Sequence, residues 1–211
     1  MKIAVISASG KAGREIFDEA SKRGHDVTAI IRDSKKADAF GEQVIIKDLF
    51  DLDYADLEKF DVIVDAFGTH QPELLELHPK VIEKLAGLLE NKPNRLLVVG
   101  GAGSLYVDPE HTVQLFDTPD FPDAFKPLAK AQSKALDVLR SFDDVNWTFI
   151  SPAADFRFDG PRTGNYILAG EEFTLNSENE SQISYADYAI AMVDEIENNE
   201  HNKERISVVA K

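Results

Sequence analysis

The stretch Lys2-Ile3-Ala4-Val5-Ile6-Ser7-Ala8-Ser9-Gly10-Lys11-Ala12-Gly13 decides how the rest of the chain is read. Ile3 to Ile6 is apolar without alternation, the pattern of a parallel strand covered on both faces. Beyond the turn, Ala12, Ile16, Phe17 and Ala20 recur at helical spacing, with Arg14, Glu15, Asp18 and Glu19 on the other side. The unit is strand, glycine-containing turn, amphipathic helix. Gly10 permits the main chain to approach a pyrophosphate, Gly13 permits the helix to pack closely on the strand, and the free N–H groups at the helix start attract anionic oxygens. Ser7, Ser9, Gly10, Lys11, Ala12 and Gly13 are therefore the expected phosphate-binding residues of a dinucleotide site. The blander alternative is that the glycines only relieve steric strain.

A second strand is expected over Asp26 to Ile31, ending at Arg32, nineteen residues beyond Gly13. In a fold of this kind that position meets the adenosine ribose. An acidic residue there accepts from both ribose hydroxyls, whereas Arg32 supplies donors suited to a 2′-phosphate, which favours NADP(H) over NAD(H). Asp33 competes with this reading, since a shift of one residue exchanges the two roles.

The Ser7 to Gly13 turn resembles the G-A-T-G-x-x-G turn of the atypical short-chain dehydrogenase/reductases. It is more closely similar to that of the bacterial NAD(P)H-binding proteins described as NADH-flavin reductases, and more distantly to biliverdin reductase B. Val27 to Arg32, Leu97 to Leu105, Ile150 to Ala153 and Tyr185 to Ala191 extend the resemblance along most of the chain. It implies an NAD(P)H-dependent reductase in which Asp48 accepts from the adenine amino group and Ala66-Phe67-Gly68-Thr69 lies against the cofactor. Ser7 departs from the family pattern, standing where the first glycine belongs.

With 211 residues, 43% hydrophobic and 29% charged, the chain suits one globular domain. The expected fold is α/β and doubly wound: a mainly parallel Rossmann-type sheet with helices on both faces and a small C-terminal extension walling the substrate pocket. No apolar run reaches membrane-span length, and Met1-Lys2 leads straight into a strand, so a cytoplasmic protein with no membrane partner is expected. The absence of cysteine excludes disulfides, thiol catalysis and thiolate metal sites. A net charge of −15 opposes binding to nucleic acid. Oligomeric state is not set by anything in the sequence.

The remaining candidate residues fall in the loops that follow the expected strands. Gln43 to Ile46 places Asp48 and Leu49 beside the adenine, with Asp48 either accepting from the base or capping its own turn. Asp61 to Asp65 places Ala66, Phe67 and Gly68 beside the ribose and pyrophosphate; His70, next along, is either near the nicotinamide or a surface residue. Arg95 to Val99 leads to Gly100, Gly101 and Gly103, read as clearance for the nicotinamide and its ribose, with the Ser104 hydroxyl as the candidate catalytic group. Asn146 to Ile150 leads to Ser151 and Pro152, whose backbone approaches the carboxamide. The loop from Tyr106 to Lys126 carries Tyr106, Phe116, Phe121 and Phe125, which either sandwich a planar ring or anchor the loop. Phe156 to Leu175 is expected as a hairpin or extension, Arg162 as an anion contact or an ion pair. Ser184-x-x-Asp187 is read as a capping box opening the last helix.

The short-chain dehydrogenase mechanism needs Tyr-x-x-x-Lys, and none of the five tyrosines has a lysine four residues later. Hydride transfer to a flavin needs mainly positioning, with a proton from solvent. A reductase of a small planar acceptor, with FMN or FAD as candidate substrate, therefore fits best; a non-catalytic NADP(H) sensor that binds a protein partner is the alternative. The five histidines show no ligand-spaced pair, so no metal is expected.

Overall fold

The computed structural model describes residues 1–211. Strand β1 (Lys2–Ile6) sits in the middle of an eight-stranded sheet. Helix α1 spans Lys11–Lys22, and β2 (Asp26–Ile31) and β3 (Val44–Ile46) lie to one side of β1. After the short α2 (Tyr54–Leu57), the strands β4 (Val62–Asp65), β5 (Arg95–Val99) and β6 (Asn146–Ser151) lie to the other side. Helix α3 (Leu77–Leu89) joins β4 to β5, and α4 (Lys126–Arg140) precedes β6. Two short strands, β7 (Asp155–Arg157) and β8 (Tyr166–Ala169), come next. The chain closes with β9 (Gln182–Ser184), α5 (Tyr185–Asn198) and β10 (Glu204–Ala210). The order β3-β2-β1-β4-β5-β6-β10-β8 is parallel except for β8 on β10, as expected for a doubly wound sheet. No helix is long and apolar enough to cross a membrane.

The unbroken apolar run of β1 follows from burial on both faces. Ile3 and Val5 join Ile16 and Ala20 of α1 and Met192 and Ile196 of α5. Ala4 and Ile6 join Ile82 and Leu85 of α3 and Leu136 of α4 on the opposite face. Each such large aliphatic side chain contributes about 1.5–3 kcal/mol when removed from water. Strand order reverses between β1 and β4, the switch point at which crevices open beyond the strands' carboxyl ends.

The segment from Phe156 to Leu175 is not a hairpin. β7 pairs in parallel with β9 in a separate two-stranded sheet, whereas β8 runs antiparallel along β10 as the edge of the main sheet. The two strands part because the chain between them is tied to other elements. A Cβ on Gly160 would stand 2.8 Å from that of Ser184. Arg162 pairs with Glu19 of α1 at 2.6 Å, which makes it a structural ion pair.

Asp187 holds the rest of the segment, and this corrects the expected capping box. Ser184 Oγ does accept from the Asp187 N–H at 3.0 Å. The Asp187 carboxylate does not return to the Ser184 backbone; it accepts from the N–H groups of Thr163 (2.9 Å) and Gly164 (2.8 Å) and from the Thr163 hydroxyl (2.6 Å). It is 1% exposed, and truncation would remove the acceptor of all three donors. Asp187→Ala is expected to lower the urea-unfolding free energy by about 2–4 kcal/mol, with Asp187→Asn intermediate.

Candidate functional site

A cleft of about 660 Å³ opens at the carboxyl ends of β1 to β4. Its size lies within the roughly 300–1,000 Å³ usual for small-molecule sites. The β1–α1 turn forms one lip, contributing Ser7, Ser9 and Gly10. Helix α1 starts without a side-chain cap, and its first intrahelical bond runs from Arg14 N–H to the Gly10 carbonyl at 2.9 Å. The N–H groups of Lys11, Ala12 and Gly13 are therefore the donors that the first helical turn leaves without an intrahelical acceptor. Gly13 lies beneath, its function being contact: a Cβ there would meet Ser7 O at 2.6 Å and Ala8 Cα at 2.9 Å.

Arg32 and Asp33 line the same cleft where β2 ends, joined by Lys36. Asp33 caps the 3₁₀ segment Ser34–Phe40 through one carboxylate oxygen, which accepts from Lys35 N–H at 3.0 Å, while lining the cleft. Arg32 and Lys36 take part in no ion pair or side-chain hydrogen bond and are exposed, whereas Lys47 nearby is held by Asp56 at 2.5 Å. Asp48 caps its own turn through Phe50 N–H at 2.9 Å while facing the cleft with Leu49. Ala66, Phe67, Gly68 and Thr69 make the inner wall. His70 is exposed. The residues present fit a dinucleotide: uncapped amides for the phosphates, unpaired cations at the β2 end, and a nucleotide-sized cleft between them.

The sequence profile of the NAD(P)H-binding family matches residues 7–199. This chain belongs to that family. It is similar to YwnB, an uncharacterized protein of Bacillus subtilis, at 47% identity over all of this chain and 99% of that one. Its structure is similar to that of a Streptococcus pneumoniae protein provisionally named an NADH-flavin reductase, with 57% identity, a TM-score of 0.96 and all of both chains covered. A Lactobacillus casei protein is similar at 31% identity and a TM-score of 0.89, over all of this chain and 99% of that one.

In this NAD(P)H-binding protein Ser7 adopts φ +60°, the left-handed region that its family's glycine enters freely. The turn is nevertheless closed, with Gly10 N–H on the Ser7 carbonyl at 2.9 Å.

Beyond β5 and β6 the structure corrects several expectations. Gly100 and Gly101 are buried, and the space they leave belongs to protein: a Cβ would meet the Phe149 ring at 2.2 Å and the Gln132 amide at 2.1 Å. Gly103 likewise accommodates Ala129 of α4, at 2.5 Å. Ser151 and Pro152 are also buried, and neither lines the cleft. Ser104 is not placed as a catalytic group. It is 3% exposed, and its hydroxyl and carbonyl both accept from the buried Arg205 guanidinium at 2.9 Å. The Tyr106 to Lys126 loop is anchored through Tyr106 and Phe116, whereas Phe125 is exposed. Phe116 is buried, Tyr106 stacks on His111 at 4.6 Å, and backbone bonds tie Tyr106 to Glu171 and Phe173. Ser104→Ala is expected to cost about 1–2 kcal/mol in urea unfolding through Arg205 and to leave dinucleotide affinity, read by fluorescence titration, unchanged.

Two buried titratable groups that sequence reading passed over brace the inner wall. Asp65, 3% exposed at the end of β4, accepts from Phe67 N–H at 3.0 Å. His78 of α3 lies with its Nε2 3.1 Å from the Thr69 carbonyl; a carbonyl only accepts, so this nitrogen carries the proton. Between them, beside Gln132, is a cavity of about 10 Å³, room for one water at most. Burial holds His78 below its ordinary value, and burial pushes the Asp65 carboxyl from 3.8 up to about 7, opposed by the Phe67 amide. Because the folded value lies above the unfolded one, the unfolded chain gives up this proton first. Asp65 therefore favours folding most below about pH 4, and that contribution is lost as pH rises to about 7. Between about pH 5 and about pH 8, Asp65→Asn is expected to lose less stability than the unmodified protein, by a few kcal/mol in denaturant titrations at each pH.

Proposed function

We propose that this protein is an NADPH-dependent reductase whose acceptor is a flavin or a similar planar molecule. The observation that carries the cofactor half is the charge arrangement at the end of β2. Arg32 and Lys36 face the cleft with no carboxylate bound to either, and one Asp33 oxygen is drawn to Lys35 N–H. A 2′-phosphate is the anion that such a pair suits, and Arg32 offers it a planar fork of donors.

The reductase half is supported by what surrounds the inner wall. No tyrosine is followed four residues later by lysine, the Ser104 hydroxyl is inside the protein, and His78 is committed to Thr69. Alcohol oxidation needs a side chain that takes the substrate proton; a planar acceptor reduced by hydride takes its proton from water. A reduced nicotinamide dinucleotide held by these residues would supply that hydride. The protein's own contribution is then to hold phosphates at the first turn of α1, to fix the adenosine end with Arg32 and Lys36, and to brace the wall from Ala66 to Thr69 against α3. The Streptococcus pneumoniae relative, 57% identical over the whole chain, carries a name of this class.

Titration is expected to give tighter binding of NADPH than of NADH, with Arg32→Ala removing the difference at a cost of about 1.5–3 kcal/mol to NADPH alone. Equal affinities in the unmodified protein would remove the NADPH preference. Steady-state NADPH oxidation with FMN, FAD and quinones tests the reaction. Turnover selects the reductase; tight NADPH binding with no turnover on any acceptor selects the sensor.

A further inference from the structure

Three aromatic rings gather just beyond the phosphate-binding turn, two of them from the segment expected to wall the substrate pocket. Phe156 of β7 packs on Tyr185 with ring centroids 3.9 Å apart. Phe158 stands nearly perpendicular to Tyr185, at 5.8 Å and 79°. Phe158 is 52% exposed, unlike the buried Phe116 of the long loop. Above its ring, 4.6 Å from the centroid, is the ammonium of Lys11. Lys11 forms no ion pair, although the chain carries 38 carboxylate side chains against 23 lysines and arginines.

The position of this cluster follows from its two anchors. Lys11 comes directly after Gly10, which lines the cleft, and β7 starts four residues after the end of β6. The platform therefore adjoins, through Lys11, the turn whose Ser7, Ser9 and Gly10 form one lip of the cleft. It is also held in place. β7 is paired with β9, Gly160 abuts Ser184, Arg162 is bound to Glu19, and Thr163 and Gly164 are bound to Asp187. A large apolar ring fixed half in solvent, with an unpaired cation beside it, presents a π face and a charge whose ordering cost has been met during folding.

We infer that Phe158, backed by Tyr185 and Phe156, is the surface on which the planar acceptor stacks, and that Lys11 meets an anionic group carried by that acceptor. The chemistry specified is a flavin with a phosphate, as in FMN. The ring system supplies the stacking surface, and the phosphate draws the ammonium from the Phe158 face, exchanging a weak cation–π contact for a charge-assisted one. The identity of the ligand rests on the reductase reading; the location rests on the cluster.

Flavin fluorescence measures binding without turnover, so the two ideas fail separately. FMN and riboflavin are titrated into the NADP⁺-loaded protein and quenching is followed. The unmodified protein is expected to bind FMN about tenfold or more tighter than riboflavin, reflecting one charge-assisted contact. Phe158→Ala weakens both by about tenfold or more, with an unchanged thermal midpoint, and Phe158→Tyr restores them. Lys11→Gln makes FMN bind no better than riboflavin. No flavin binding, or binding that Phe158→Ala leaves unchanged, overturns the platform, whatever the turnover. Binding that behaves as expected but supports no NADPH oxidation keeps the platform and removes the reductase.

Discussion

Helix α1 reaches its place only because residue 13 has no side chain. The nearest atoms to a Cβ there are main-chain atoms of Ser7 and Ala8, at 2.6 and 2.9 Å, which cannot swing aside as a flexible side chain does. That contact sets the helix start against the end of β1 and aims its uncapped amides across the switch point. It also sets the far end of the helix. There Glu19 and Arg23 meet Arg162, Asp194 and Glu197, so the turn that faces the cleft is fixed to α5 and to the segment after β7. The same contact that exposes a phosphate-binding turn positions the aromatic platform beside it.

The parts of this architecture governed by neighbouring residues were legible in the sequence. The unalternating runs of β1, β2 and β5, the helical spacing of α1 and the glycines between them depend on contacts a few residues apart or on burial common to every parallel strand. β2 and β5 run over the residues expected of them. What escaped was set at long range. The Ser104 hydroxyl is taken by Arg205, 101 residues away, and the Asp187 carboxylate by donors 23 and 24 residues upstream. The apparent hairpin was split because its two strands found partners in β9 and β10, which follow later in the chain. Asp65 read as the end of a strand, and only the packing of α3 and α4 makes it a buried acid.

A chain with a net charge of −15 has to bind an anionic ligand by arranging its few cations. Most of its arginines are spent on internal structure. Arg23 holds three carboxylates, Arg95 holds Glu195 and the carbonyls at the end of α5, and Arg205 is fully interior. The long-range field repels the ligand, so capture depends on short-range groups that carboxylates have left free. Arg32 and Lys36 beyond the end of β2 and Lys11 at the start of α1 answer that description.

The central place of β1 bears on how the protein is made. Its partners lie on both sides: β2, whose register begins with Lys2 opposite Asp26, and β4, where Ile3 stands opposite Val62. During synthesis from the amino end, β1 waits for some sixty further residues before its second edge is covered. At about 5–20 residues per second that is a delay of several seconds. Throughout it, Ile3-Ala4-Val5-Ile6 is an uncharged, proline-free β segment of the kind that pairs with other chains. Lys2 before the run and Lys11 after it flank the segment with charge. The strand on which the cofactor cleft is built is thus also the one that nascent chains must keep from one another longest.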